Sequence, residues 1–193
     1  ILSELKNAVY TVSDVKKGTR RKSPLPPFIT STLQQDASAK LGFQPKRTMK
    51  VAQELYEGVD VKGMGAVGLI TYMRTDSLRI SEDAISAATQ YIKKTWGDKY
   101  LPDKPRVFKT KSGAQDAHEA IRPSMPELVP ENVKDSLTQD QYKLYKLIWS
   151  RFIACQMANC LQKTTRVDIE ANGYIFKASG YIVSFDGYTA VSY

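Results

Sequence analysis

Apolar residues recur at a spacing of three to four through the middle of the chain, which is the spacing of amphipathic helices. The first helix is predicted to run to about Leu41, and either Thr30 or Ser31 can cap it with its hydroxyl. A second helix is predicted to begin after Pro45 and to end near Gly58. The pattern therefore places two short helices one after the other.

Two further helices are predicted from their capping residues. Ser81 precedes one of them, with Glu82 and Asp83 in the first turn, where carboxylates stabilise the helix dipole. Thr138 and Gln141 have the spacing of a capping box for a longer helix. The predicted apolar stripe of that longer helix is Tyr142, Tyr145, Ile148, Trp149, Phe152 and Cys155. The stretch 102–130 between the two helices is rich in proline and is predicted to be irregular.

After about Gln162 the apolar residues alternate with polar ones, which is the period of a half-buried strand. The dipeptide Asn172-Gly173 is a strong signal for a tight hairpin, and Tyr174 begins the predicted returning strand. The stretch 182–193 is predicted to add one or two more strands. The end of the chain is thus predicted to be a β-sheet.

A strand is also predicted near the start of the chain, from Leu5 to Val15, and it is followed by a basic run and then by the proline-rich stretch 23–28. Those prolines exclude a helix and predict an extended joint. Because strands lie at both ends, the predicted fold class is α+β. It has a helical domain, 24–157, inserted into a discontinuous antiparallel β domain, 1–23 and 158–193.

The composition favours a polyanionic partner. Lysine and arginine number 28 against 20 acidic residues, which gives a net charge of +8. Charge alone also fits a soluble basic protein with no such partner, so nucleic-acid binding needs further support. Cys155, Cys160 and the only histidine, His118, are too few and too scattered for a zinc site, and the two thiols fit a reducing cytoplasm.

No apolar run reaches the length of a membrane span or of a signal peptide. The chain begins with Ile1 instead of methionine and ends at Tyr193 in strand-like sequence, which predicts a piece of a longer protein.

The segment Gly68–Ser77, GLITYMRTDS, carries the candidate chemistry. It precedes a helix cap and is predicted to be extended, so that Tyr72, Arg74 and Asp76 lie on one face. A phenol ionises at a pKa of about 10, and a nearby cation favours the nucleophilic phenolate. A guanidinium can also hold a phosphate. Since most tyrosines only pack at a wet edge, these residue types alone leave a structural role open.

Several blocks resemble one family. GLITYMRTDS is similar to the active-site segment of the bacterial type IA DNA topoisomerases. The further blocks that resemble this family are PFITSTLQQDASAKLGF (27–43), RTMKVAQELYEG (47–58), AHEAIRPS (117–124) and DIEANGYIFKASG (168–180). Because the blocks span nearly the whole chain in order, the resemblance is far more specific than one short motif.

The resemblance implies roles for individual residues. Tyr72 matches the nucleophile that forms a 5′-phosphotyrosine, and Arg74 matches the arginine that positions the scissile phosphate. His118 matches a histidine near the phosphate. The other positions implied to contact DNA or to shape the pocket are Thr71, Thr75, Asp76, Gln53, Glu57, Lys46 and Arg47. An ordinary solvated helix start remains an equal interpretation of Lys46 and Arg47.

The resemblance also implies an activity. It is the ATP-independent relaxation of negatively supercoiled DNA by single-strand cleavage, strand passage and religation. The helical domain would lift away from a β arch, with 23–27 as the joint. The expected partners are single-stranded or underwound DNA and the other domains of the same chain, in a monomeric enzyme of the bacterial cytoplasm, at the nucleoid.

Mg²⁺ is expected on an acidic Toprim domain that is not among these residues. Glu119 and Asp116 are too sparse to replace that domain. We therefore expect that this segment binds no metal and is inactive alone.

Two rival functions are possible beside this interpretation. The basic run 16–22 and exposed aromatics could bind single strands without any chemistry. A tyrosine recombinase or type IB enzyme is disfavoured because His118 and Arg122 lack the HxxR spacing. Such an enzyme would form a 3′ adduct.

The GxGxxG match at 63–68 resembles a dinucleotide-binding motif, but it follows a helix instead of a strand, so we interpret it as a flexible loop.

Overall fold

The computed structural model describes residues 1–110 and 118–192. The helices are α1 (Leu2–Leu5), α2 (Thr30–Leu41), α3 (Pro45–Glu57), α4 (Glu82–Trp96), α5 (Pro130–Val133) and α6 (Gln139–Cys155). The strands are β1 (Thr11–Lys22), β2 (Val59–Val61), β3 (Gly65–Val67), β4 (Cys160–Ala171) and β5 (Tyr174–Phe185). Short 3₁₀ turns lie at Asp98–Tyr100, Lys134–Ser136 and Gly187–Ala190. The fold is α+β with antiparallel sheets.

The chain divides into two compact units. One contains Ile1–Ser23 and Asn159–Gly187, and the other contains Pro24–Ala158 together with the residues from Tyr188 onward. The sequence-based boundaries put the last residues in the β domain, whereas Tyr188 donates its amide to the carbonyl of Ala158 at 2.9 Å in the helical unit.

The β unit is a three-stranded sheet in the order β1-β4-β5, with antiparallel neighbours. The predicted hairpin is confirmed: Asn172 and Gly173 connect β4 to β5 with φ angles of 50° and 80°. Both residues of a type I′ turn need positive φ, which explains this dipeptide. Every residue of β1 is exposed, so the backbone ladder, and not an apolar core, holds this strand in place.

Two strand predictions in the β unit differ from the structure. The predicted strand 5–15 is confirmed only from Thr11, where β1 begins and from where it includes the whole basic run, whereas Leu5 ends α1. The pairing of β1 with β4 continues to Lys22, and this ladder overrides the weak strand propensity of lysine and arginine. No additional strand forms within 182–192, because the first residues of this stretch complete β5 and are followed by the 3₁₀ turn.

The core of the helical unit lies around α6. Its predicted capping box is confirmed: the Gln141 amide donates to the Thr138 hydroxyl at 3.2 Å, and the Gln141 side chain accepts from the Thr138 amide at 3.0 Å. The predicted stripe is buried except at Tyr142, whose hydroxyl points outward and donates to Glu131. Burial raises the pKa of the Cys155 thiol to about 12, so this thiol stays protonated. Cys160 begins β4.

The proline-rich stretch contains no helix, as predicted, but it is packed and not a loose joint. Pro24 and Pro27 are buried, as is the side chain of Phe28. Arg151 of α6 donates to the carbonyl of Pro26 at 2.6 Å, and its guanidinium lies 4.4 Å from the centroid of the Phe28 ring. The prolines from Pro24 on are therefore part of the packed helical unit.

The glycine-rich stretch is also more ordered than predicted. β2 and β3 pair as a small antiparallel hairpin, with Gly63 and Gly65 at positive φ in and after the turn. After β3 comes the extended candidate segment instead of a helix, which excludes a dinucleotide-binding βα turn here. Gly68 is required by a close approach, since a Cβ atom there would lie 2.8 Å from the carbonyl oxygen of Tyr56.

Candidate active site

The candidate segment is held on one side by the block AHEAIRPS. The amide of Thr71 donates to the carbonyl of Arg122 at 2.9 Å, and the amide of Ser124 donates to the carbonyl of Leu69 at 2.9 Å. The Thr71 hydroxyl joins this pairing, because it donates to the carbonyl of Ala120 at 2.7 Å and accepts from the amide of Arg122 at 3.0 Å. Two blocks that are far apart in sequence thus form one platform.

On its other side the segment is held by the first residue of α2. The Thr30 hydroxyl donates to the carbonyl of Met73 at 2.7 Å and accepts from the amide of Thr75 at 2.9 Å. The amide of Thr30 in turn donates to the carbonyl of Thr75 at 3.0 Å. Thr30 was predicted as a helix cap, but the N-cap residue is Ile29. The hydroxyl of Thr30 positions the candidate segment instead.

Burial alternates along the segment. Met73, Thr75 and Ser77 are at most 8% exposed, whereas Tyr72 is 43% exposed and Arg74 and Asp76 are exposed as well. This is the period of an extended chain packed on one face. The apolar and hydroxyl side chains therefore anchor the segment, and the phenol, the guanidinium and the carboxylate lie on its exposed face.

Three adjoining clefts surround this face. The tyrosine cleft is lined by Tyr56, Thr71, Tyr72, Thr75, Arg79, His118, Glu119 and Ser124. The aspartate cleft is lined by Thr30, Ser31, Arg74, Thr75, Asp76 and His118. The lysine cleft is lined by Gln34, Lys46, Met49, Lys50, Gln53 and Arg74. His118 lines both of the first two clefts and Arg74 lines both of the last two, so neighbouring clefts share a side chain.

Most of the predicted site residues meet in these clefts. Tyr72 and His118 share the tyrosine cleft, and Arg74 and Asp76 share the aspartate cleft. Lys46 and Gln53, two of the predicted residues, lie with Arg74 in the lysine cleft, and the Gln53 amide donates to the Glu57 carboxylate at 2.5 Å. The segment thus gathers cations and hydrogen-bonding groups along one path.

Two of the predicted site residues already form hydrogen bonds within the protein. Arg47 forms two hydrogen bonds with Asp140, at 2.9 and 2.7 Å, and its guanidinium lies 4.3 Å from the centroid of the Phe43 ring. The Thr71 hydroxyl is engaged by backbone groups. For these two residues the structure provides a structural role, and it does not bring Arg47 into the clefts.

The tyrosine cleft contains an aromatic pair that the sequence did not reveal. The rings of Tyr56 and Tyr72 lie 5.3 Å apart with an interplanar angle of 62°. Tyr56 lies in the last turn of α3, and nothing in its spacing along the sequence relates it to Tyr72. The edge-to-face contact restricts the directions in which the Tyr72 phenol can point.

A carboxylate forms the wall of the tyrosine cleft. Glu119 accepts from the Arg122 guanidinium at 3.2 and 3.0 Å and from the amide of Ser81 at 2.8 Å. Burial would raise the pKa of Glu119, but the Arg122 hydrogen bonds, the Ser81 amide and the charges of Arg122 and Arg79 together lower it below its usual range. The carboxylate of Glu119 is therefore charged, and it holds its neighbours in place instead of donating a proton.

Glu119 also ties the cleft to α4. Ser81 caps this helix, since its hydroxyl accepts from the amide of Ala84 at 3.2 Å, as predicted. The sequence did not predict the second bond of Ser81, from its amide to Glu119, because the two residues are far apart in the chain.

Among residues 1–110 and 118–192, no three histidine, cysteine or acidic side chains are grouped so as to hold a metal ion. Asp116, considered with Glu119 as a candidate pair, lies outside the described residues. Within the same ranges no helix is long and apolar enough to cross a membrane.

Comparison with known proteins places these features in context. The family described as DNA topoisomerase matches residues 1–193. DNA topoisomerase 1 of Rickettsia felis is 47% identical over 99% of the chain, and that of Campylobacter jejuni is 48% identical over 99%. The solved full-length topoisomerase I of Thermotoga maritima superposes on 98% of the chain with a TM-score of 0.87 and 40% identity. The chain spans 25%, 27% and 31% of these proteins, respectively.

Proposed function

Since the chain belongs to the bacterial type IA DNA topoisomerases, we propose that it is the part of such an enzyme that cleaves one DNA strand with Tyr72. The observation that carries this proposal is the exposed phenol of Tyr72 in a cleft that His118 joins to the cleft of Arg74. The substrate is single-stranded or underwound DNA, whose backbone phosphates match the cations along the clefts.

The proposed reaction is a transesterification. The Tyr72 oxygen attacks a backbone phosphorus, and a bond from oxygen to phosphorus forms while the bond to the 3′ oxygen of the preceding nucleotide breaks. The phenol gives up its proton and the departing 3′ oxygen gains one, which leaves a 5′-phosphotyrosine and a free 3′ hydroxyl. The reverse step reseals the strand, so the reaction requires no ATP.

Arg74 and His118 have supporting roles in this proposal. The guanidinium of Arg74 binds the non-bridging oxygens of the phosphate and stabilises the negative charge that develops on them. His118 lies where the two clefts meet and contacts the same phosphate region. Lys46 and Gln53 extend the path for the neighbouring backbone.

Other parts of the enzyme complete the proposed activity. Strand passage would require movement of the helical unit, and Mg²⁺ would bind to the acidic Toprim domain of the longer chain. The described residues of this chain offer no acidic cluster for that ion. We therefore propose that this segment alone does not relax DNA, and that the whole enzyme works as a monomer at the nucleoid.

The test uses the full-length enzyme and a single-stranded oligonucleotide labelled at either end. Mass spectrometry of the trapped adduct is expected to identify Tyr72 bonded to the 5′ phosphate of the downstream product. Tyr72→Phe is expected to abolish the adduct, and the control Tyr142→Phe, which removes a phenol outside the three clefts, is expected to keep it.

Three results would contradict the proposal. An adduct that persists in Tyr72→Phe would exclude this nucleophile. A 3′-linked adduct would indicate chemistry of the recombinase type. DNA binding by the wild-type enzyme without any adduct would favour a binding module.

A further inference from the structure

Arg79 lines the tyrosine cleft, although neither the motif nor the predicted face included it. Arg74 lines the other two clefts and not this one. The tyrosine cleft therefore has an exposed guanidinium of its own, beside Tyr72 and His118.

The backbone of Arg79 is fixed in place. Its amide donates to the hydroxyl of Ser77 at 3.1 Å, and its carbonyl accepts from the amide of Ala120 at 2.8 Å. Ser77 is only 1% exposed and cannot move away. The alternation of buried and exposed residues breaks after Ser77, where Leu78 is half-buried and Arg79 is exposed, which is why a period of two did not place Arg79 beside Tyr72.

The side chain of Arg79 forms no salt bridge within the described part of the chain, although its charge helps to lower the pKa of the neighbouring Glu119. Other arginines of the helical unit are paired with carboxylates: Arg47 with Asp140, Arg122 with Glu119, and Arg151 with Asp36. Glu119, the acid beside Arg79 in the cleft, already accepts two hydrogen bonds from Arg122. Neither Arg74 nor Arg79 has a salt bridge to any described residue, so both guanidiniums are available to a ligand.

We propose that Arg79 binds a second backbone phosphate of the DNA strand, next to the phosphate that Tyr72 attacks. Arg74 and Arg79 line separate clefts that meet at His118, which suits two successive phosphates better than one shared phosphate. Two fixed contacts of this kind orient the strand, whereas a single contact allows it to rotate about the phosphate. This inference rests on the proposed function and adds a phosphate-binding residue to it.

The test measures binding of a single-stranded oligonucleotide to the full-length enzyme at several salt concentrations. Each phosphate contact contributes about 0.7 to the slope of log K against log salt concentration. Arg79→Ala is expected to lower that slope by about 0.7 and to weaken binding about fivefold to tenfold near 0.15 M salt. Arg79→Lys keeps one positive charge and is expected to restore the slope.

Lys94→Ala is the matched control, because Lys94 is an exposed cation near the other end of α4 and lines none of the three clefts. It is expected to leave the slope unchanged. A wild-type slope in Arg79→Ala, even with reduced adduct formation, would overturn the proposed contact. Because the slope reports binding and the adduct reports cleavage, this result is independent of whether Tyr72→Phe abolishes the adduct.

Discussion

At the scale of single residues, the hydroxyl of Thr30 holds the backbone of the candidate segment in place. It donates to the carbonyls of Met73 and Thr75, at 2.7 and 3.1 Å, and accepts from the amide of Thr75 at 2.9 Å. Met73 and Thr75 are the buried residues on either side of Arg74. The side chain of Thr30 thus holds the backbone that positions the exposed guanidinium of Arg74.

Thr30→Val keeps the shape of the side chain and removes the hydrogen bonds of the hydroxyl. The amide of Thr75 then lacks an acceptor for its hydrogen in a part-buried site, and we expect a loss of about 1–3 kcal/mol in the free energy of unfolding. Denaturation in urea, followed by circular dichroism, measures this loss. Thr30→Ser retains the hydroxyl and should lie much closer to the wild type. Equal stability of the Val and Ser variants would show that the hydroxyl does not hold the segment.

At the scale of elements, Glu119 connects the start of α4 to the platform of the candidate site. Its carboxylate receives the amide of Ser81 and the guanidinium of Arg122. These partners lower the pKa of Glu119, even though burial opposes them. A carboxyl group whose pKa is lower in the folded state stabilises the fold above its unfolded pKa of about 4.3, and this stabilisation is lost as the pH falls further.

Glu119→Gln tests this contribution. The variant should be less stable than the wild type at pH 7, because the charge-assisted hydrogen bonds from Arg122 become weaker. The difference should shrink as the pH falls below about 4.3, since the wild-type carboxyl then becomes protonated and neutral too. Urea denaturation of both proteins at pH 7 and near pH 3 gives the two differences. A difference that stays constant over this range would mean that the charge of Glu119 does not contribute.

The elements also show what the sequence could and could not predict. The Ser81 cap, the Thr138 capping box and the Asn172-Gly173 turn were predictable, because each depends on hydrogen bonds or dihedral angles within a few residues. The extension of β1 to Lys22 depends on its partner β4, which is remote in sequence. Local propensity contains no information about such a partner.

The same distinction applies to the candidate site. The exposed face of Tyr72, Arg74 and Asp76 followed from a simple period of two. Tyr56 enters the tyrosine cleft from the end of α3, and Arg79 enters it after the alternation of burial breaks at Ser77, and no short motif encodes these relations. The resemblance to the family predicted the roles of the motif residues, whereas Tyr56 and Arg79 could be found only from the three-dimensional packing.

At the scale of the whole molecule, the two compact units differ in what stabilises them. The helical unit buries large side chains on α6, including Tyr145, Phe152 and Ile148, which are 0% exposed. In the β unit every residue of β1 is exposed, and β5 is exposed along most of its length. Its stability comes mainly from the backbone ladders to β4, with little apolar burial to oppose local opening.

Hydrogen exchange followed by mass spectrometry is expected to separate the two units. Amides of α6 can exchange only when the core opens, whereas amides of β1 and β5 become accessible when a solvated sheet frays. Peptides from Thr11–Lys22 and Tyr174–Phe185 should therefore take up deuterium well before peptides from Gln139–Cys155.

Adding a single-stranded oligonucleotide to the same hydrogen-exchange experiment tests the assignment of the DNA site. Protection should rise around Tyr72 and Arg79 and not in the two sheet strands, and protection confined to β1 would instead favour a sheet that binds DNA.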